Sequence, residues 1–353
     1  METSFNDSLA LTSNRFDKIY YVSGDGIALV KHDGKFGYID STGKVIAQFI
    51  YDDVSRFSDG LGVATLNDKY IIIDKNGNQL KTFEHYIDAF SDKMARTWID
   101  DKGGYINVDL EEVVPPIYDS NNDFSEGFAA VKKDGKWGYI DTSGNVVIPF
   151  QFSSAGSFSE GLAGVRLNGK CGYIDKTGSV VIPCIYDSTD FFRGGFSFVN
   201  QDDKWAVISK EGIELSKFVY DERETPENGF ATVRKKKNYG VVNSLGKLVV
   251  PAKYYGAFNA GEGLFAVLAA DSGWGYMNSK KELVVPFGYD DVGVFSEGLA
   301  VVKLDGKYGY INSTGDIVIP MQYLEAKPFK FGIAPVRTDE GWYLISNPAN
   351  ITK

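Results

Sequence analysis

The sequence predicts an all-β protein built from ten tandem units of three short strands. The expected arrangement is an open β-solenoid or superhelix of stacked units, with a closed β-propeller-like ring as the alternative. Three observations predict it. A glycine recurs at Gly37, Gly104, Gly138, Gly172, Gly240, Gly275 and Gly309, and Ile71, Ala206 and Tyr343 fill the same slot in weaker copies, always 33 to 35 residues apart. The segments beginning at Phe124, Phe158 and Phe295 match nearly residue for residue. The 21 Tyr and 24 Phe, with abundant Val and Ile, favour strands, and long helical apolar patterns are absent.

Each element of the unit follows from its residues. Leu299-Ala300-Val301-Val302-Lys303 reads as a strand, and Asp305-Gly306 as a two-residue hairpin turn, repeated at Asp33-Gly34, Asp134-Gly135 and Asn168-Gly169. The next strand runs from Lys307 to Asn312 and carries the recurring glycine as Gly309. Glycine weakens a strand, so its recurrence calls for close approach of another backbone or ring at that position. Ser313-Thr314-Gly315 is a second turn. Ile317-Val318-Ile319 is the third strand, and Pro320, which lacks an N–H, is expected to stop it. Pro149, Pro183, Pro251 and Pro286 hold the same position. A Tyr-Asp pair follows, as in Tyr51-Asp52, Tyr118-Asp119 and Tyr186-Asp187. The ring is expected to pack on the next unit and the Asp to cap the turn leading there.

The units are contiguous, so the chain divides into an N-terminal arm or cap (1–25), the array (26–346) and a tail (347–353). A single unit buries too little to fold alone, and stacking supplies a shared core. The segment Lys18-Ile19-Tyr20-Tyr21-Val22 could replace the strand missing from the truncated last copy and so close the array, or cap an open edge. Copies two, three and six are the most eroded: they carry Ile71, Gly103 and Ala206 at conspicuous positions, and two and six lack the Val-Ile-Pro element. These departures read as losses without a gain of chemical groups.

Composition excludes several function classes. A net charge of −10 disfavours nucleic acid, and no polybasic cluster suggests an anionic membrane. No apolar run is long enough to insert in a membrane, and residues 1–4 do not begin a signal peptide, so a cytoplasmic location is expected. Cys171 and Cys184 read as free thiols, and His32 and His85 as surface or turn histidines. The stretch from Asp119 to Asp123 lacks the Gly and Glu of a calcium loop. Asp52-Asp53 and Asp290-Asp291 recur as turn residues, which leaves a hydrolase with an acidic site as a remote alternative. No catalytic, cofactor-binding or metal-ligating residues are assigned, no cofactor is expected, and the chain reads as a non-enzyme.

The aromatics preceding the recurring glycine are the candidate binding or packing residues: Phe36, Trp137, Trp205, Tyr239, Trp274, Tyr308 and Trp342. Packing between units is their plainer role; exposed, they would suit a protein or a carbohydrate. With Lys136-Trp137-Gly138 at its clearest, the stretch 126–149 resembles the WG, or KWG, repeat of bacterial proteins. The resemblance covers nearly all of the chain after residue 25. It implies a binding or structural module and supplies no catalytic residues. The expected function is therefore a scaffold that binds an unidentified protein, with a glycan or cell-surface polymer as the alternative ligand.

Overall fold

Hairpins form where the sequence demands left-handed backbone. Asp305 and Gly306 both take positive φ, 49° and 78°, as a two-residue turn of this type requires, and they join the strands Leu299–Leu304 and Lys307–Asn312. The turn at 313–315 is held by Asn312, whose side-chain oxygen accepts the N–H groups of Thr314 and Asp316 at 3.1 and 2.9 Å.

The computed structural model describes residues 10–11, 15–23 and 26–350. The rest of the expected N-terminal arm and residues 351–353 of the expected tail lie outside the described residues. Strands form ten sheets, eight of four strands and two of three. They fall in two compact units: Met1–Thr82 with Ala260–Lys353, and Phe83–Asn259.

Two expectations about the repeat are corrected. The complete sheets have four strands, not three, because a further first strand is present: two residues long in five of them, as Ser154–Ala155 before Leu162–Leu167, and five or six in Lys18–Val22, Gly256–Gly261 and Asp291–Ser296. Proline does not stop the last strand. Val146–Phe152 runs through Pro149, and Ile317–Tyr323 runs through Pro320. The strand bulges there. Trp137 pairs with Phe152 and Tyr139 with Ile148, so Pro149, Phe150 and Gln151 stand opposite Gly138 alone. The same shift occurs opposite Gly37, Gly104, Gly172, Gly240, Gly275 and Gly309. A proline N–H would have no ladder partner in the bulge, so its loss costs little.

The bulge explains the recurring glycine. A Cβ on Gly138 would stand 2.6 Å from the Ile148 carbonyl oxygen, and one on Gly309 2.6 Å from that of Ile319. The expected close backbone approach is present. Where the slot holds a side chain, the bulged strand changes. Beside Ile71 the fourth strand is the shorter Gln79–Phe83. Beside Ala206 the sheet has three strands. Beside Tyr343 the chain's own N-terminal segment takes its place.

That last exchange decides between the two architectures. Phe16 pairs with Trp342 and Ala10 with Ile345, and Leu11 donates its N–H to the Leu344 carbonyl at 2.9 Å. Residues 10–11 and 16 thus pair along the edge where the last copy lacks its fourth strand. Lys18–Val22, read as either the exchanged strand of a ring or the cap of an open edge, is instead the first strand of the first sheet, paired with Ala28–His32. The open solenoid, whose terminal copies would be unpaired, is replaced by the β-propeller-like alternative. Four strands per blade agree with it.

Core clusters lie between consecutive blades of each unit. One joins Tyr139, Ile148 and Phe152 to Ala155, Phe158 and Val165; another joins Tyr310, Ile319 and Tyr323 to Phe329, Val336 and Tyr343. Tyr51, Tyr118 and Tyr186 pack on the following blade, as their place after the proline predicts.

Candidate functional site

In six copies the third strand carries a tyrosine two residues after the candidate-aromatic position near its start. The pair divides its labour. Tyr38, Tyr105, Tyr139, Tyr173, Tyr276 and Tyr310 are fully buried. Each hydroxyl donates to a carbonyl 17 residues on, in the stretch of the next blade that leads to its second strand: Tyr139 to Gly156 at 2.8 Å and Tyr310 to Lys327 at 2.8 Å are examples. Each ring also meets the phenylalanine of that stretch, with Tyr139 and Phe158 centroids 5.0 Å apart. Burial pushes these hydroxyls well above the ordinary tyrosine range, so they remain donors.

The candidate aromatics are less buried. Phe36, Trp137, Trp205, Tyr239, Trp274 and Tyr308 are half-buried, and Trp342 is buried beside Phe16. A basic side chain on the second strand stands directly across from several of them: Lys31 from Phe36, Lys132 from Trp137, Arg234 from Tyr239, Lys303 from Tyr308 and Arg337 from Trp342. The Lys31 and Lys303 ammonium groups sit 5.2 and 5.3 Å over their rings. Trp205 is covered from the next blade by the Arg223 guanidinium at 4.3 Å.

These positions edge a notch between adjacent blades. In one unit it is a cavity of about 270 Å³ lined by Val292, Val301, Tyr308, Ala326 and Pro328, among others. In the other unit the equivalent cavity, about 220 Å³, has Gly164 for Val301 and Cys171 for Tyr308. Cys171 faces this notch, whereas Cys184 packs with the cluster of Tyr139 and Phe158. Both thiols are free, and burial pushes both above the ordinary range, away from nucleophilic thiolate.

Two further sets of side chains recur at several junctions between consecutive blades. The Asp after the repeated tyrosine accepts the lysine of the Lys-aromatic-Gly motif and a hairpin-tip N–H from the following copy. Asp187 takes Lys170 Nζ at 2.5 Å and the Asp202 N–H at 3.1 Å; Asp52 takes Lys35 Nζ at 2.5 Å and the Asn67 N–H at 3.0 Å. The turn that Asp187 caps is thus 15 residues ahead. The Lys170 ammonium beside Asp187 holds its carboxyl below the usual carboxylate range. The second set stacks the Phe-Ser-Glu-Gly turns. Ser125 donates to the Phe158 carbonyl at 2.8 Å, and Glu126 accepts the Gly161 N–H at 3.0 Å. Ser296 and Glu297 repeat this toward Phe329 and Gly332. Sequence reasoning missed this set, although its signal was present in the recurrence of Ser and Glu before that glycine.

The third copy's departures are not mere losses, as the sequence suggested. Gly103 leaves room for Asn121, whose Cγ would lie 2.7 Å from an added Cβ, and Asn121 Nδ2 donates to the Gly104 carbonyl at 3.0 Å. Arg96 pairs there with Asp88, and with Asp123 at 2.7 Å. A polar network replaces the usual aromatic. It also accounts for the stretch from Asp119 to Asp123, since Asp119 pairs with Lys102 at 2.6 Å. Of the histidines, His32 lies between Phe16 and Phe49, at 5.6 and 5.3 Å, and His85 meets Phe83 at 5.4 Å. Asp17, His32 and Asp33 bring potential ligand atoms within 4.8 Å of one another. Asp17 already accepts the Gly34 N–H at 2.9 Å, the capping contact of its repeat position.

The outermost strands expose apolar side chains. In the unit Phe83–Asn259 these are Ile117, Val146, Val147, Val180, Val181 and Ile185, and in the other unit Ile50, Leu80, Leu283, Ile317 and Val318.

Four-stranded blades, one sequence repeat per blade and strand exchange between the first and last copies define a propeller-like tandem-repeat protein. The chain belongs to the WG-repeat family. The family's profile, described as a WG containing repeat, matches residues 36–70, 104–137, 137–171, 172–205, 239–268, 274–308 and 308–342. The stretches it passes over, 71–103 and 206–238, begin at Ile71 and Ala206, where the glycine is lost. No curated protein matches the chain. Among solved structures it is similar to one described as the crystal structure of the eukaryotic initiation factor, with 11% identity and a TM-score of 0.55 over 94% of this chain and 98% of that one. It is also similar to the computationally designed Ika8 protein (12% identity, TM-score 0.38, 83% of this chain and 95% of that one). BamB from Moraxella catarrhalis gives 13% identity and a TM-score of 0.34 over 84% of this chain and 98% of that one. At such identities likeness concerns the fold alone, and the first of the three carries that argument.

Proposed function

We propose that this protein is a non-catalytic repeat scaffold that binds another protein through the outer strands of its blades. One observation carries the reading: exposed Val and Ile recur there copy after copy. Val146 and Val180, one repeat apart, are 50% and 51% exposed. Scattered apolar residues are ordinary on a surface, but a recurring series on neighbouring blades marks an interaction surface. The candidate aromatics support it indirectly, by packing the blades that present this surface. A glycan ligand has less support, because six of those seven rings are half-buried and Trp342 is buried. The acidic net charge and the absence of an apolar helix long enough to cross a membrane among the described residues agree with a protein partner.

The test compares the native protein with Val146→Lys/Val180→Lys as bait in lysate of the source cells, with crosslinking. Both positions are exposed, so the variant should keep its melting temperature and lose the enriched partner. An unchanged partner set, or a measured turnover on any substrate class, overturns the proposal.

A further inference from the structure

In the tenth copy the inner turn reads Lys327-Pro328-Phe329-Lys330-Phe331-Gly332, where the fifth reads Gly156-Ser157-Phe158-Ser159-Glu160-Gly161. The structural parts are kept. Phe329 is fully buried against Tyr310, and the Gly332 N–H still reaches Glu297 at 2.9 Å. The other positions have changed chemistry. Lysines replace Gly and Ser, a proline replaces Ser, and Phe331 replaces the glutamate. Phe331 holds the turn's left-handed backbone, φ 54°, which is uncommon for a bulky residue, and it remains 47% exposed. Strained, exposed replacements of this kind point to function.

They border a cavity of about 260 Å³ within the unit that holds both chain ends. Its walls are apolar, from Tyr20, Val294, Pro328 and Pro335, and its cations are Lys327 and Lys330. Tyr20 and Val294 are 41% and 40% exposed, and the Lys18 ammonium lies 4.6 Å over the Tyr20 ring. In a chain of net charge −10, this is apolar surface flanked by lysines. Its complement has an apolar body and one negative charge. At about 260 Å³ the cavity is below the ~300 to 1,000 Å³ of sites for drug-sized ligands, so that body is a single ring or a short chain.

We propose that this cavity binds a small amphipathic carboxylate, its apolar part against Tyr20, Val294, Pro328 and Pro335 and its carboxylate held by Lys327 and Lys330. The site is independent of the outer strands and stands whether or not a protein binds there.

The test titrates the full-length protein with 3-phenylpropionate and octanoate at millimolar concentrations in low salt, followed by NMR, with the matching amides as neutral controls. Either carboxylate should bind, and its amide at least about tenfold more weakly, as befits a charge-assisted contact. Lys327→Glu/Lys330→Glu should reduce carboxylate binding by about tenfold per lysine. Val294→Trp, which fills the cavity without altering charge, should abolish binding; it serves as the second variant should the first not fold. Binding of neither carboxylate to the native protein overturns the proposal. So does equal binding of carboxylate and amide, or binding that survives Val294→Trp.

Discussion

Exchanging glycine and alanine at one repeat slot should have opposite effects in two copies. In the fourth copy, Gly138→Ala forces a Cβ to 2.6 Å from the Ile148 carbonyl oxygen and 3.0 Å from the Phe150 nitrogen, where ordinary contact begins at 3.4 Å. Both obstacles are backbone, held by pairing on either side of the bulge. Overpacking of this kind costs about 1–3 kcal/mol, and rigid backbone places it at the upper end. Alanine returns about 0.4–1 kcal/mol by stiffening the unfolded chain, which leaves a net loss of about 2 kcal/mol. In the sixth copy Ala206 occupies the slot, the segment opposite pairs only through isolated bridges of Trp205 with Tyr220 and Ile208 with Glu214, and Ala206 is fully buried in a core cluster. Ala206→Gly there removes a packed methyl and loosens a strand, a loss of about 1 kcal/mol or more. Guanidinium unfolding followed by tryptophan emission, with amide exchange at Tyr139 and Val207 to localise the effect, measures both. A neutral or stabilising Gly138→Ala would refute the account of the glycine, as would stabilisation by Ala206→Gly.

Three further outcomes are expected. Tyr139→Phe removes the hydrogen bond to the half-buried Gly156 carbonyl and should cost about 0.5–1.5 kcal/mol, seen as faster amide exchange confined to the fourth and fifth blades. Asp187→Asn tests the lysine link: Asp187 has its carboxyl lowered in the fold, so its contribution is present above the unfolded carboxylate value near 4 and is lost as pH falls through the folded one. The native protein should exceed the variant in melting temperature at pH 7, and the gap should close below about pH 4. Phe16→Ala, at a side chain 3% exposed, should cost about 3–5 kcal/mol and shift the Trp342 emission to the red as the exchanged strand loosens.

The repeat and its hairpin turns were legible because they are local: a turn needing positive φ declares itself in two residues. So was the close approach at Gly309, since glycine inside a strand has few other reasons to recur. The two-residue first strands were not. Ser154–Ala155 and Ser188–Thr189 have two residues each, too few to display alternation. The proline misled because its missing N–H normally ends pairing, and nothing in sequence shows that the ladder is already interrupted there. The exchanged strand was correctly anticipated but assigned to Lys18–Val22, the better β-former. Ala10 and Phe16 pair there instead, because register with Ile345 and Trp342 is set by contacts more than 300 residues away in the chain. The candidate aromatics were found by their period, but period cannot tell packing from binding. The Lys327–Lys330 cavity was readable only as a departure from the Phe-Ser-Glu-Gly pattern.

That departure was tolerable for a physical reason. The junction between the fifth and sixth blades is tied several times over, by the Tyr173 hydroxyl, the Asp187–Lys170 contact, Ser159 and Glu160, with an apolar cluster behind them. Exposed ion pairs of this kind contribute little singly, and the buried rings carry most of the stability. A copy can therefore lose one tie and keep its place. The third copy exchanges its aromatic for an Arg96 network, and the tenth exchanges its turn glutamate for Phe331 while Phe329, Tyr310 and Glu297 still secure the junction. Chemistry is thus free to change at these turns, where the ties are redundant, whereas the glycine is exchanged, at Ile71, Ala206 and Tyr343, only where the strand opposite is shortened, broken or replaced.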